Sequence, residues 1–394
     1  MYFLAFVLKN LTRRPTRTAL TVLGLAVAVG STIALLGMSE NFRTAMGATF
    51  EKRGVDLVVV AAGAPDQLSS EIDESVLDQV RTIPNVVGID AALVDLTEMQ
   101  RREPTGPDDV PPSMQVLIQA WLPTNFGFDD MELLSGRALT PADQGHHRAV
   151  LGSKLAENMN KKVGDTITIL QQKFEIVGVF KTISVFETGG VVVLMADYQQ
   201  LSGRKGKVTG FSLRVKKSEA TADADVEAVR QQLLALQVGS GKRQKLSAER
   251  PQKYLDNAAH LKLVRAMAWM VSAIGILIGV ISMLNTMVMS VLERTQEIGI
   301  LRAVGWPRNR VVRMVLLEAV VLGVVSAVVG AVGALGVTHL LALSPTVNGF
   351  IEGGIPLVVA VQGVAIATLI GLLGGAYPAF RAAQLLPTEA IRHD

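Results

Sequence analysis

Apolar residues are concentrated in four blocks, and each block is long enough to cross a lipid bilayer. The blocks cover residues 19–38, 264–292, 314–343 and 355–377. Since about 20 apolar residues in a helix span the ~30 Å hydrocarbon core, each block predicts a transmembrane helix. The long segment 40–262 is charged throughout and mixes helical with alternating periodicity, which predicts a water-soluble α+β domain.

The soluble segment contains short β-branched runs and longer amphipathic runs. The former predict strands at 55–61, 86–96, 114–121, 163–170, 174–180, 191–195 and 211–215. The latter predict helices at 72–83 and 222–236, and 150–159 is typical of a turn that enters a helix. Segment 101–112 is rich in Pro, Gly and Asp and predicts a loop.

Composition supports a membrane protein and excludes several other classes. The chain has 394 residues, of which 49% are hydrophobic. It has no cysteine, so neither a disulfide framework nor a thiolate metal site can form. A net charge of +3 is too small to indicate a nucleic-acid partner.

Basic residues between the blocks predict the orientation in the membrane. Residues 1–18 carry basic side chains among apolar ones, which is typical of an interfacial amphipathic helix on the cytoplasmic side. The connection 293–313 has five arginines, and the short loop 344–354 has no Lys or Arg. Because positive charge in short loops marks the cytoplasmic side, both termini, including the tail 378–394, are predicted to be cytoplasmic. Residues 40–262 are then predicted to lie outside the cytoplasm.

No catalytic site is predicted from the residues. The segment Gly239–Lys242 (GSGK) lacks the first glycine and the Ser or Thr of a phosphate-binding loop. His146 and His147 are adjacent and have no acidic or thiolate cluster beside them, so no metal site is predicted. The residues therefore predict no intrinsic catalytic site and no cofactor in this chain.

Two polar residues fall inside the apolar blocks. Asn285 is predicted to face another helix and to find a hydrogen-bond partner there, because an amide is costly in lipid. Glu318 lies one turn inside its helix, where the helix dipole and Arg313 are expected to offset its charge. A substrate or proton pathway remains the alternative role for both.

Small residues recur at fourfold spacing in the last two blocks. Gly323 and Ala327 lie four residues apart, and Gly371 and Gly375 form a GxxxG pair. Small residues allow close helix approach in lipid, so these four predict helix packing and self-association of the chain.

The connection between the second and third blocks reads ERTQEIGILRAVG over residues 293–305. Ile298, Leu301 and Val304 recur every three residues, which predicts a short helix, and Gly305 with Pro307 predicts its end. This segment, the following RNRVVRMVLLEAVVLG, the terminal YPAFRAAQLLPTEAIR and the early KNLTRRPTRTALTVLGLAVAVG resemble the FtsX/MacB-type permeases of ABC transporters. In addition, LLSGRALTPADQ, AVLGSKLAENMNKKVGDTITI and FEIVGVF resemble the extracytoplasmic domain of the MacB family.

The resemblance implies a fold and a role. The fold is an α-helical membrane protein with four transmembrane helices and an α+β extracytoplasmic domain of two subdomains, one a β-rich insert at about 132–180. In the family, residues 293–313 correspond to a coupling helix that docks on an ATPase. The residues assigned to this coupling are Glu293, Arg294, Glu297, Ile298, Gly299, Leu301, Arg302 and Gly305. Ile298 and Leu301 are expected to fill an apolar groove on the ATPase.

The resemblance also implies partners. We expect a permease homodimer on a dimer of separate ABC ATPases that bind ATP and Mg, since no nucleotide-binding domain precedes residue 1. A periplasmic adaptor and an outer-membrane channel are further expected partners, and export or extraction of a substrate by mechanotransmission is the expected activity. The alternatives are an FtsX-like regulator of a cell-wall hydrolase, a Lol-like lipoprotein-releasing permease and a membrane-anchored binding or sensor protein.

Overall fold

The computed structural model describes residues 15–101, 112–182, 184–218, 221–236, 245–342 and 354–385. Most of the predicted interfacial helix, of loop 344–354 and of the loop at 101–112 lies outside the described residues, as do the GSGK segment and the end of the predicted tail.

The helices, in chain order, are α1 Pro15–Lys52, α2 Val76–Arg81, α3 Ser153–Met159, α4 Val185–Thr188, α5 Met195–Leu201, α6 Ala222–Ala235, α7 Pro251–Asn257, α8 Ala259–Glu293, α9 Thr295–Ala303, α10 Arg308–Ala342 and α11 Leu357–Gln384. The strands are β1 Leu57–Ala61, β2 Ile72–Asp73, β3 Val86–Gln100, β4 Ser113–Trp121, β5 Glu132–Gly136, β6 Arg148–Gly152, β7 Thr166–Ile169, β8 Gln172–Lys181, β9 Val191–Leu194, β10 Lys207–Val208, β11 Gly210–Val215 and β12 Leu246–Glu249.

The chain forms two compact units. One contains residues 1–41, 264–340 and 353–394, and the other contains 42–263 and 341–352. We call them the membrane unit and the outer unit. The boundaries at 41 and 264 lie close to those expected from the sequence pattern.

Four helices among the described residues are long and apolar enough to cross a membrane, which confirms the predicted four spans. They cover Thr18–Lys52, Leu261–Glu293, Arg308–Leu341 and Leu357–Gln384. The first helix is much longer than the predicted block 19–38. At 38 residues α1 is about 57 Å long, almost twice the ~30 Å that a bilayer core requires. No proline interrupts residues 39–52, so nothing in the backbone ends the helix where its apolar block ends.

The small residues of α10 and α11 pack these two helices of the same chain together. A Cβ atom on Gly323 would lie 2.6 Å from the carbonyl oxygen of Ala367, and one on Gly371 would lie 2.8 Å from that of Ala319. A Cβ on Gly375 would also meet Ala319, and Ala327 is only 1% exposed. These surfaces are therefore used for packing within one chain, and the predicted self-association stays a prediction.

The outer unit is built on one ten-stranded sheet. Its strand order is β12-β1-β11-β3-β4-β9-β6-β8-β5, and β7 pairs with β8. Neighbours are antiparallel except for the parallel pairs β4–β9 and β6–β8. Residues 132–181 carry β5 to β8 and form one end of this sheet rather than a sheet of their own, joined to the rest through β9.

Some elements of the outer unit differ from the predicted pattern. The predicted helix 72–83 is a short strand followed by α2, because the Asp73 carboxylate accepts hydrogen bonds from the backbone and hydroxyl of Ser75 and so forms a turn between them. The pattern also missed α5, α7 and β12.

Strand β1 has a separate buried cluster on each face. Leu57, Val59 and Ala61 belong to the main core of the sheet. Val58 and Val60 belong to a second cluster, which includes Tyr254 and Leu255 of α7, and Phe42, Met46 and Phe50 of α1 pack against it. The end of α1 is thereby anchored to the sheet.

Candidate functional site

Helix α9 is the short connection between two membrane-spanning helices, and both of its ends are fixed by specific contacts. At its start Arg294 stands at the N-cap position. Its guanidinium donates from Nε to Glu297 at 3.1 Å and from Nη1 to Glu318 of α10 at 3.3 Å. The Glu318 residue is 5% exposed. Since a buried carboxylate requires a partner, this ion pair ties the start of α9 to α10.

The partner of Glu318 differs from the one predicted. Arg313 was expected to offset its charge, but Arg313 is exposed on α10. Arg294 lies 24 residues away in sequence and takes that role. Sequence spacing could not indicate this pair, because it forms only when α9 folds back against α10.

A Schellman motif ends α9. The N–H of Gly305 donates to the carbonyl of Arg302 at 3.1 Å, and the N–H of Trp306 donates to that of Leu301 at 3.0 Å. Gly305 has a φ of +99°, in the region that favours glycine. The predicted helix end at Gly305 is therefore confirmed, and Trp306 packs against the membrane unit's buried cluster behind it.

The apolar residues of α9 are divided between two faces. Ile298 is 2% exposed and belongs to the buried cluster that contains Val311 and Met314 of α10. Ile300 and Val304 are 55% and 78% exposed. The prediction that Ile298 fills a groove on a partner is therefore corrected: Ile298 anchors α9 to its own chain, and Ile300 and Val304 form the outward apolar surface. Ile300 and Val304 are four residues apart, and Ile298 was selected because it is three residues from Leu301. Both spacings place residues on one face of a helix, so the sequence pattern does not distinguish the two faces.

The other residues assigned to coupling lie around this surface. Glu293 and Glu297 are exposed, Leu301 is half-buried, and Gly299 is buried beside Ile298. Arg302 turns back on its own chain, where Nη1 donates to the carbonyl of Trp306 at 3.1 Å.

A second cation also contacts Trp306. The Arg310 guanidinium is 5.3 Å from the centre of the Trp306 ring. Arg302 and Arg310 therefore both hold Trp306 in place at the turn, and the coupling role assigned to Arg302 stays a prediction.

The remaining polar groups singled out in the sequence lie elsewhere. Asn285 is exposed on α8, so the other helix that it is predicted to face is not supplied by the described residues of this chain. His146 contacts the Gln144 carbonyl at 3.1 Å, and the ring of His147 lies 5.3 Å from that of Phe174. Within the described ranges, no group of three His, Cys, Asp or Glu residues is arranged to hold a metal ion.

Comparison with known proteins places these two units in one family. Residues 18–236 match the MacB-like periplasmic core domain, and residues 269–387 match the FtsX-like permease C-terminal domain. The first match alone covers more than half of the chain. The chain belongs to the FtsX/MacB-type permeases of ABC transporters. Helix α9 lies inside the FtsX-like region of this permease.

The permease matches relatives of two lengths. It is 25% identical to the uncharacterized ABC transporter permease MJ1507 of Methanocaldococcus jannaschii, over 99% of this chain and 97% of that one. It is 23% identical to the uncharacterized ABC transporter permease YknZ of Bacillus subtilis, over 96% and 95% of the two chains. It is 26% identical to the macrolide export ATP-binding/permease protein MacB of Azoarcus sp., over 95% of this chain but 57% of that one.

The family membership fixes the general role of the permease. It is a membrane-embedded subunit of an ABC transporter in the inner membrane, and the family implies an ATPase partner. Permease subunits of this kind are not themselves enzymes. Because the relatives are ABC permeases, the predicted alternatives of a cell-wall regulator or a sensor protein are not favoured.

Proposed function

We propose that the permease transmits ATP binding and hydrolysis on an ABC ATPase to its outer unit, and that α9 is the contact with the ATPase. The observation that carries the proposal is the pair of exposed apolar side chains, Ile300 and Val304, on a helix that is fixed at both ends. Buried apolar anchors supply most of the energy at protein interfaces, so these two residues are the expected hot spots. Glu297 is exposed beside them and is expected to form polar contacts at the rim.

The fixed ends of α9 make it suited to pass on a displacement. A helix held by an ion pair at its start and a capped turn at its end moves with the helices that flank it. Helix α8 continues without a break from Ala259, in the outer unit, to Glu293, directly before α9. Movement imposed on α9 therefore has a continuous helical path to the outer unit, which is the proposed mechanotransmission.

We place ATP and Mg on the ATPase and propose that the ATPase is a separate chain. In support, the relatives that this permease covers almost completely carry the name permease alone, whereas the longer Azoarcus relative is named as an ATP-binding/permease protein. We propose export as the activity, without assigning a substrate, because the exporters that it matches are named for different substrates, macrolides and pyoverdine. An adaptor and an outer-membrane channel stay predictions.

Cysteine crosslinking tests the contact directly, because the chain contains no cysteine of its own. Single Ile300→Cys and Val304→Cys variants are expected to crosslink to an ATPase subunit, identified by mass spectrometry from its nucleotide-binding motifs. A Ser218→Cys variant, exposed in the outer unit, is the control and should give no such product.

Truncation tests the energetic role of the same pair. The Ile300→Ala, Val304→Ala double variant should weaken ATPase binding at least tenfold, since each buried anchor contributes more than about 1 kcal/mol. Val337→Ala, which truncates an apolar side chain that is 53% exposed on α10, is the matched control. Full ATPase binding and full stimulation of ATP hydrolysis in the double variant would exclude α9 as the coupling element.

A further inference from the structure

The outer unit contains a cleft that the proposed coupling does not use. Its cavity volume is about 370 Å³, within the range of small-molecule sites. The end of α1 forms one wall with Phe42 and Met46, and the sheet contributes Leu117 and Trp121. Tyr254 of α7 also lines the cleft. The walls are therefore mainly apolar and aromatic.

A buried ion pair is part of the lining of the cleft. Arg53 donates to both carboxylate oxygens of Glu187, at 2.8 and 2.7 Å, and the two residues are 8% and 5% exposed. The Arg53 guanidinium also lies 3.3 Å from Asp130 and 5.5 Å from the centre of the Trp121 ring. The charge of Arg53 is thus already engaged by protein groups.

Asp90 also lines the cleft, and one of its two carboxylate oxygens lacks a hydrogen-bond partner. Its Oδ1 atom is buried and has no hydrogen-bond partner. Burial raises the pKa of Asp90 to about 7, with Arg53 and Arg214 acting in the opposite direction and Glu187 and Asp130 adding to the rise. Arg214 is engaged elsewhere, since its Nε donates to the Arg53 carbonyl at 2.6 Å and its guanidinium stacks 4.0 Å from the Phe126 ring centre.

The charges that line the cleft leave an excess of acid. Asp66, Asp90 and Glu187 are the carboxylates of the lining, and Arg53 is its cation. Asp66 accepts from Ser69, and Glu187 is paired with Arg53. A carboxyl with an unsatisfied oxygen beside aromatic walls complements a single positive charge on an apolar body.

We propose that this cleft binds a small amphipathic molecule with one protonated amine, with the amine on Asp90 and the apolar body against Phe42, Met46 and Leu117. The size of the cavity sets the class of ligand, since about 370 Å³ holds one or two fused rings with a short chain. The inference goes beyond the proposed coupling, because binding to the cleft requires neither ATP nor the ATPase.

The test measures binding of dansylcadaverine, a fluorescent amine, to the full-length permease in nanodiscs without ATPase. Empty nanodiscs provide the correction for partition into lipid. The amine is expected to bind saturably and at least tenfold more tightly than its N-acetylated, neutral form. This comparison uses the wild-type protein and so does not depend on the folding of a variant.

Two variants locate the site. Asp90→Asn should weaken binding of the amine at least tenfold and remove the difference between the charged and neutral probes. Asp129→Asn, which removes an exposed carboxylate that does not line the cleft, is the matched control and should bind like the wild type. Leu117→Trp, which fills part of the cavity, should weaken both probes.

The pH dependence adds a separate measurement. The ionised form of Asp90 binds the amine, so affinity should rise from pH 6 to pH 8 as this carboxyl loses its proton, and Asp90→Asn should abolish that rise. Equal affinity for the charged and neutral probes, or unchanged binding by Asp90→Asn, would overturn the proposal. Because no ATPase is present, failure here is distinct from failure of α9 as the coupling element.

Discussion

At the scale of single residues, position 305 requires glycine because of its backbone conformation and not because neighbouring atoms leave no room for a side chain. Its φ is +99°, and a Cβ atom there would meet nothing within 4 Å. A β-branched residue is strained in this region whatever its surroundings, whereas asparagine tolerates it better.

We therefore expect Gly305→Val to disrupt the turn after α9 and Gly305→Asn to preserve much of it. The measurement is hydrogen exchange at the amides of residues 305 and 306, together with stimulation of the ATPase. In the valine variant, these amides should lose their protection from hydrogen exchange, and stimulation of the ATPase should fall at least tenfold. Gly333→Ala is the control, because Gly333 lies within α10 with open space around it and has no positive φ. Normal protection and stimulation in Gly305→Val would show that the turn does not need glycine.

Asp90 shows how a residue can serve function at a cost in stability. Its folded-state pKa of about 7 is above its ordinary value of 3.8, so the folded protein retains a proton that the unfolded chain loses as pH rises between these values. The stability of the outer unit should consequently fall over this pH range, and Asp90→Asn should remove that fall. Hydrogen exchange of the β3 amides at pH 5 and pH 8 measures it, and the variant should be more protected than wild type at pH 8 by on the order of 1 kcal/mol. An identical pH response in both proteins would contradict this account.

At the scale of elements, the ion pair between Arg294 and Glu318 determines how α9 is attached. Removal of Arg294 alone leaves a buried carboxylate without its cation, which is more harmful than the loss of both partners. Arg294→Ala is therefore expected to destabilise the membrane unit by about 2 kcal/mol or more, and the double variant with Glu318→Ala by less than the sum of the single changes.

A double-mutant cycle measures this coupling, with unfolding followed by titration with denaturing detergent. Arg308→Ala, at an exposed arginine near the start of α10, is the control and should show no coupling to Glu318→Ala. Strict additivity of Arg294→Ala and Glu318→Ala would mean that the ion pair does not hold α9 in place.

At the scale of the whole molecule, the orientation in the membrane follows from the arginines of 293–313 and stays a prediction. We expect Ser218→Cys to react with an impermeant thiol reagent in intact spheroplasts and Arg308→Cys to react only after lysis. Both positions are exposed within their own units, and wild-type protein is an unreactive background because it has no cysteine. The reverse pattern of labelling would show that the orientation in the membrane is opposite to the predicted one.

Also at this scale, we propose that two permease chains pair through α8. Asn285 is exposed there, and an amide in lipid is costly unless a neighbour supplies a partner. In a twofold-symmetric pair, equivalent residues near the axis approach each other. We expect Asn285→Cys to form disulfide-linked dimers in membranes and Val332→Cys, 64% exposed on α10, to form none. Equal crosslinking at both positions would indicate random collision.

The sequence alone determined the features that depend on local physics. Block length identifies the spans because bilayer thickness is fixed, and Gly305 followed by Pro307 marks a helix end because few residues adopt positive φ. The alternating runs located most strands of the outer unit, because the two-residue period of a strand is also a local property.

Only the tertiary structure decided which surface each residue serves. A helix such as α9 has apolar residues on more than one side, and its own periodicity does not say whether Ile298 or Ile300 turns inward. Arg53 and Glu187 are 134 residues apart, so no local pattern indicates that they meet. The small residues of α10 and α11 illustrate the same limit, because small side chains allow close approach without specifying the helix that approaches. Such choices depend on the packing of the whole chain, which buries whichever face leaves the fewest apolar and charged groups without partners.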